Sequence, residues 1–202
     1  MTRFMRTAGT RDTIGTVDHA DHVSLLRDGV VPGAWADLGS GEGAFTLALA
    51  DLLGADGSIV SVDKDRGRLN AQERAMRRRF PRASVEYRVA DFTAPLALPP
   101  LDGIVMANSL HFVEAKLPLL RRLRAALVPG GRFVLVEYDA DRGNVWVPHP
   151  ISLSRWRELA AQAGFRDTRE LHAVPSRFLG RIYSALSFSP DSELRSSTPF
   201  AQ

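Results

Sequence analysis

Asp37-Leu38-Gly39-Ser40-Gly41-Glu42-Gly43 is the stretch on which the fold of this 202-residue chain turns. It follows the short apolar run Ala34-Trp35-Ala36 and leads into the apolar segment Ala44 to Leu53, which Gly54 stops. The first run has the length of a buried strand and the second that of a helix. Glycines between a strand and a helix let the backbone turn sharply and approach a ligand, while the helix start presents N–H groups.

The same alternation continues outward from this turn. Val17 to Asp28 reads as a short amphipathic helix ended by Gly29 and Pro32. Beyond the turn, Ser58 to Val62 is a second strand ending at Asp63, and Arg66 to Phe80 a helix closed by Pro81. Ser84 to Ala90 alternates as a third strand ending at Asp91. After the loop with Pro95, Pro99 and Pro100, Asp102 to Ala107 is a fourth strand and Glu114 to Leu127 a helix. Arg132 to Glu137 is a fifth strand, and Ser154 to Ala163 a helix with Gly164 as its left-handed end. Arg166 to Ala173 and Phe178 to Ser187 supply two last strands. Strands separated by helices pair in parallel, and helices cover both faces. The last two strands have too short a connection for a parallel crossover and pair antiparallel. The fold class is therefore α/β, a three-layer αβα sandwich of the Rossmann-like kind.

Composition narrows the chemistry. The chain has no cysteine, which removes thiolate zinc sites, iron–sulfur clusters and cysteine nucleophiles. The apolar fraction of 45% and charged fraction of 24% are those of a globular protein. No apolar run approaches the ~20 residues that span a bilayer, and Met1 to Asp12 has no signal-peptide core, so a cytoplasmic location is expected. The net charge of +3 comes almost wholly from arginine, Lys64 and Lys116 being the two lysines. A solvated helix face explains Arg74, Arg77, Arg78, Arg79 and Arg82 as well as a nucleic-acid surface does.

Gly39-x-Gly41-x-x-Ala44 also satisfies a dinucleotide fingerprint, so the turn alone does not separate NAD from S-adenosylmethionine (SAM). Two features favour SAM. Asp37 stands at the end of the first strand, where a carboxylate attracts the α-ammonium of SAM and repels a pyrophosphate. Acids recur at the next two strand ends: Asp63 suits a ribose diol, and Asp91 with Phe92 suits an adenine amine and ring. Each acid alone fits a helix cap. Three around one glycine turn point to a ligand.

With these residues the chain resembles the class I SAM-dependent methyltransferases from about residue 18 to 188, in particular their small-molecule, quinone-biosynthesis-type branch. The 37–43 turn matches that family's first motif, Asp63 its ribose acid and Asp91-Phe92 its adenine pair. Leu127-Val128-Pro129-Gly130-Gly131-Arg132 matches its turn into strand five. The resemblance implies a seven-stranded sheet in the order 3-2-1-4-5-7-6 with strand seven antiparallel. It implies one methyltransferase domain over 1–202, with a core at 34–188 and residues 1–30 as an extension or flap. SAM is its implied cofactor, held by Asp37, Gly39, Ser40, Gly41, Gly43, Asp63, Lys64, Asp91 and Phe92, with Asn108 and Leu110 on the methyl-donor side.

Methyl transfer from a sulfonium needs an in-line acceptor, and a base only where the acceptor carries a proton. Candidates after strands four and five are Asn108, Ser109, His111, Glu137, Tyr138, Arg142, Trp146 and His149; His111 and Glu137 are the expected catalytic pair of residue types. The segment Asp139 to Ser154 is long for a connection and suits a lid or specificity element. Arg177, Phe178 and Tyr183 are further candidates to close that pocket. His19 and His22 share a helix face without a clear third ligand, so no metal is expected. The expected partner is a small-molecule acceptor, neither nucleic acid nor membrane. Nucleic-acid methylation, a silent SAM-binding protein and an NAD(P) oxidoreductase are the alternatives.

Overall fold

A computed structural model describes residues 18–176 and 179–191. Val17, Arg177 and Phe178 lie outside the described residues, as does most of the proposed N-terminal extension. The seven strands are β1 (Ala34–Leu38), β2 (Ser58–Asp63), β3 (Ser84–Val89), β4 (Leu101–Ala107), β5 (Leu127–Tyr138), β6 (Arg166–Pro175) and β7 (Arg181–Phe188). They form one sheet in the order β3-β2-β1-β4-β5-β7-β6. β3, β2, β1, β4 and β5 pair in parallel, and β7 runs antiparallel to both β5 and β6.

The helices are α1 (His19–Leu26), α2 (Ala44–Leu53), α3 (Arg66–Arg79), α4 (Lys116–Ala125) and α5 (Leu153–Ala163). Local chemistry sets their ends. Asp18 caps α1 in a capping box with Asp21. Asp65 caps α3 by accepting from the N–H groups of Gly67 and Arg68. Gly164 ends α5 at φ 86°. A short 3-10 turn, Leu110–Phe112, precedes α4, so the helix expected from Glu114 starts two residues later. β5 begins at Leu127, five residues before its expected start, because the Pro129-Gly130-Gly131 segment continues the strand as an irregular edge against β4.

Two cores flank the sheet, and strand alternation decides which side chain joins which. Trp35, Val105, Val134 and Val136 face α1 and α2, where they meet Leu25, Leu26, Phe45 and Leu49. Ala36, Leu38, Ile104, Met106, Phe133 and Leu135 face α4 and α5, where they meet Leu120, Leu123 and Trp156. Between β3 and β4 no helix covers this second face; Phe92, Leu96 and Leu98 of the proline-rich loop pack there.

Trp156 is fully buried and stacks on Phe133, with ring centroids 5.5 Å apart. Trp156→Ala should lower unfolding free energy by about 3–5 kcal/mol, read as an earlier urea midpoint with an unchanged m-value.

Candidate active site

The carboxyl ends of β1, β2, β3, β4 and β5 meet along one edge of the sheet, as parallel pairing requires. At its centre lies the 39–43 turn. Gly39, Gly41 and Gly43 have φ values of 78°, 55° and 90°, a region that L side chains rarely adopt. Gly43 has a second reason to be glycine: a Cβ there would sit 2.3 Å from Gln72 Cγ. A Cβ on Gly41 would meet nothing within 4 Å, so the turn is open on that side.

The donors of this turn are already committed. Gly39 and Ser40 N–H groups donate to Val62 O (2.8 and 3.0 Å), and Gly43 N–H donates to Ser40 O (3.0 Å). Gly41 N–H donates to Asp63 Oδ2 (2.8 Å), while Asp63 Oδ1 accepts from Asp65 N–H (2.8 Å). A phosphate cradle relies on unspent backbone N–H groups. The N–H groups of Gly39, Ser40, Gly41 and Gly43 are therefore turned inward and not offered to a phosphate.

Beneath the turn is a buried polar chain. Asp37, nearly inaccessible, accepts from Thr46 Oγ1 (2.6 Å). Thr46 also bonds Gln72 Nε2, and Gln72 Oε1 accepts from Ser61 Oγ (3.0 Å) and Ser40 Oγ (3.4 Å). Burial pushes the Asp37 carboxyl up to about 7; the Thr46 hydroxyl opposes the shift and the Asp63 charge adds to it. Asp37 is thus placed to act on a ligand through the turn rather than by open contact.

On the β3 side, Asp91 is exposed and its carboxyl is held below the ordinary carboxylate range. Thr93 lowers it by donating its hydroxyl (2.7 Å) and its backbone N–H (2.8 Å) to Oδ1, and the exposed Lys64 adds a smaller effect. Phe92 approaches the glycine turn, its Cε1 lying 3.1 Å from where a Gly39 Cβ would be. Arg122 of α4 fastens this segment by donating to Phe92 O (3.0 Å) and Thr93 O (2.7 Å).

On the β4 side, Ser109 Oγ donates to Leu38 O (2.8 Å) and ties the end of β4 to the turn. Asn108 adopts φ 50°, and its Oδ1 is buried without a hydrogen-bond partner. Such an orphaned acceptor beside an open glycine turn suits a ligand that brings a hydrogen-bond donor. Leu110, expected beside the cofactor, is instead fully buried in the α4–α5 core.

That 3-10 turn delivers His111 to Glu137, 26 residues away in sequence. Glu137 Oε2 meets His111 Nδ1 at 2.8 Å, and Oε1 accepts the His111 backbone N–H at 3.1 Å. Glu137 is completely buried and the His111 side chain 4% exposed. The contact leaves Nε2 as the ring nitrogen not engaged by Glu137. The 139–154 segment covers the pair. His149 N–H donates to His111 O (3.1 Å), Tyr183 Oη–H to Ile151 O (2.9 Å), and Leu153 N–H to Asp139 Oδ1 (2.9 Å). Asn144 Oδ1 accepts from Trp146 and Val147 N–H groups (both 2.9 Å), a turn that leaves Trp146 75% exposed. Arg142 is exposed on the same segment, and Tyr138 lies with its ring centroid 6.0 Å from that of His111.

Other candidates are elsewhere. His19 meets Asp51 (3.0 Å), and His22 lies edge-on to Phe45 at 4.7 Å, both against α2. Among the described residues no three His, Asp or Glu side chains gather as a metal site. Arg74, Arg77, Arg78, Arg79 and Arg82 are on or just beyond α3, flanking β2 and β3 rather than the His111–Glu137 pair.

Residues 36–133 match a family model described as a methyltransferase domain. Over 111 residues, 50% of this chain and 43% of the relative, the chain is 36% identical to a carboxy-S-adenosyl-L-methionine synthase of Pseudomonas syringae. Over 198 residues, 86% of this chain and 8% of the relative, it is 29% identical to the reducing polyketide synthase grgA of a Penicillium species. The chain spans less than half the length of these curated relatives. Its fold is shared with a SAM-dependent methyltransferase from Aquifex aeolicus, at TM-score 0.66 and 18% identity, over 84% of this chain and 89% of that one. Residues 36–133 thus match a methyltransferase-domain family, on a fold shared with a SAM-dependent methyltransferase.

The raised Asp37 pKa carries a sign that denaturation can read. The folded carboxyl keeps its proton to about pH 7, whereas the unfolded one releases it near its ordinary value of 3.8. Stability from this group is therefore full below that lower value and falls as pH rises towards about 7. Asp37→Asn should flatten this slope, gaining on the wild type by more than about 1 kcal/mol between pH 5 and pH 8 in urea titrations.

Proposed function

We propose that this chain binds SAM along the β3-β2-β1 edge and transfers its methyl group to a small-molecule acceptor that must give up a proton. The His111–Glu137 pair carries this reading, because a histidine with one nitrogen fixed by a buried carboxylate is a general base in waiting. The assignment of cofactor contacts follows the chemistry of each strand end. Asp91 and Phe92 take the adenine, Asp63 the ribose hydroxyls, and the 39–43 turn with Asn108 the amino-acid end. Lys64 borders the ribose and adenine positions as a surface charge.

SAM, when bound, supplies an electrophilic methyl group on a sulfonium. The chain's own part is to hold the acceptor in line and take its proton. His111 Nε2 receives that proton, and the methyl group's bond to sulfur would break as the acceptor takes it, leaving the neutral thioether. Glu137 keeps the ring in the tautomer with Nε2 bare and stabilises the imidazolium that results. The 139–154 cover excludes water, so the charge develops in a dry site where Glu137 acts strongly. A small acceptor is favoured over nucleic acid because the arginine cluster on α3 is not at this pair. The relatives named for carboxy-SAM and polyketide chemistry support the same choice.

Calorimetric titration should show micromolar binding of SAM and of its demethylated product and none of NAD(H). Binding of NAD(H) alone would sink the reading. In an acceptor screen with labelled methyl donor, His111→Ala should lower kcat by about 10²–10⁴ while the SAM Kd stays within roughly threefold. Glu137→Gln should lower kcat as well, by a smaller factor. Full activity in His111→Ala would leave methyl transfer in place but remove the base.

A further inference from the structure

Gln72 belongs to no recognised motif, yet its completely buried side chain occupies the space under the glycine turn and is the only group joining α3 to both Ser40 and Thr46 among the hydrogen bonds described. Its orientation is dictated from one end. Thr46 Oγ1 gives its single hydrogen to Asp37 Oδ2, so towards Gln72 it accepts, and Gln72 Nε2 must be the donor. The amide oxygen then faces Ser40 and Ser61, whose hydroxyl oxygens lie 2.8 Å apart.

Two hydrogens serve that triangle. A buried Gln72 Oε1 needs a donor, and so does the contact between the two hydroxyls. If Ser61 donates to Gln72, Ser40 donates to Ser61; if Ser61 donates to Ser40, Ser40 donates to Gln72. Either arrangement turns the Ser40 hydrogen inward. Ser40, half-buried at the turn, meets the ligand side with lone pairs only, and the turn's backbone N–H groups at 39, 40, 41 and 43 are spent as well.

We propose that Gln72 is a positioning residue that makes Ser40 a hydrogen-bond acceptor and so fits the glycine turn to the α-ammonium group of SAM. The inference rests on the SAM reading above and adds what makes this turn prefer a cation to a phosphate. Its specificity lies in a side chain outside the turn itself.

The test compares two ligands, SAM and 5′-methylthioadenosine, which has the adenosine and thioether but no amino-acid arm. Gln72→Met keeps the bulk and removes both polar ends. Calorimetry should show SAM affinity falling about tenfold, the loss of roughly one charge-assisted hydrogen bond, with 5′-methylthioadenosine affinity unchanged. Ser40→Ala should show the same selective loss, and the double variant no further one. Should Gln72→Met fail to fold, as thermal unfolding would reveal, Ser40→Ala decides alone. Equal weakening of both ligands, or no weakening of SAM, overturns the proposal. A wild-type protein that binds neither ligand overturns the cofactor reading instead.

Discussion

Backbone donors at the end of β1 have to go somewhere, and in this protein they go inward. Val62 O takes the N–H groups of Gly39 and Ser40, Asp63 takes that of Gly41, and Ser40 O takes that of Gly43. This binds the turn to β2 so firmly that its shape is a property of the sheet. Beneath it, Gln72 fills the volume that the absent side chain of Gly43 leaves and completes a hydrogen-bonded chain to Asp37. The cost of burying Asp37 is met partly by Thr46 and partly by retention of a proton to about pH 7. An unsatisfied or freely ionised Asp37 at that position would strain the centre of the sheet.

Around that fixed turn, the neighbouring strand ends are tied by single, well-placed bonds. Ser109 joins β4 to β1, and Arg122 holds the segment after β3 from a helix on the opposite face. The His111–Glu137 side is built in the same way. Glu137 holds both the ring and the backbone of His111, and the covering segment is pinned at His149, Ile151 and Leu153. Arg181 reinforces the last of these by pairing with Asp139 at 2.7 Å. The glycine-turn edge and the His111–Glu137 edge are thus two neighbouring, separately braced parts of one sheet margin.

The elements, the antiparallel pairing of β6 with β7 and the turn were legible in the sequence because each depends on local pattern, whereas the strand order came only from the family resemblance. Apolar spacing over a few residues separates strand from helix, and a short connection forces an antiparallel pair. The acids Asp37, Asp63 and Asp91 were legible for the same reason: each ends a strand, and parallel strands end together. The position after β4 identifies a neighbourhood and not a direction. The 3-10 turn rotates Leu110 into the core and His111 towards Glu137.

By itself the sequence determined the αβα layering, the glycine turn and the row of acids along one edge, since these follow from chain-local geometry. Tertiary structure alone decided that His111 and Glu137 form one unit, that Gln72 sits under Gly43, and that the turn's N–H groups are spent. Apart from the local Gly43–Ser40 bond, these join residues 22 to 29 positions apart, and only the closed sheet, with α3 packed on one face and α4 on the other, brings such pairs within bonding distance.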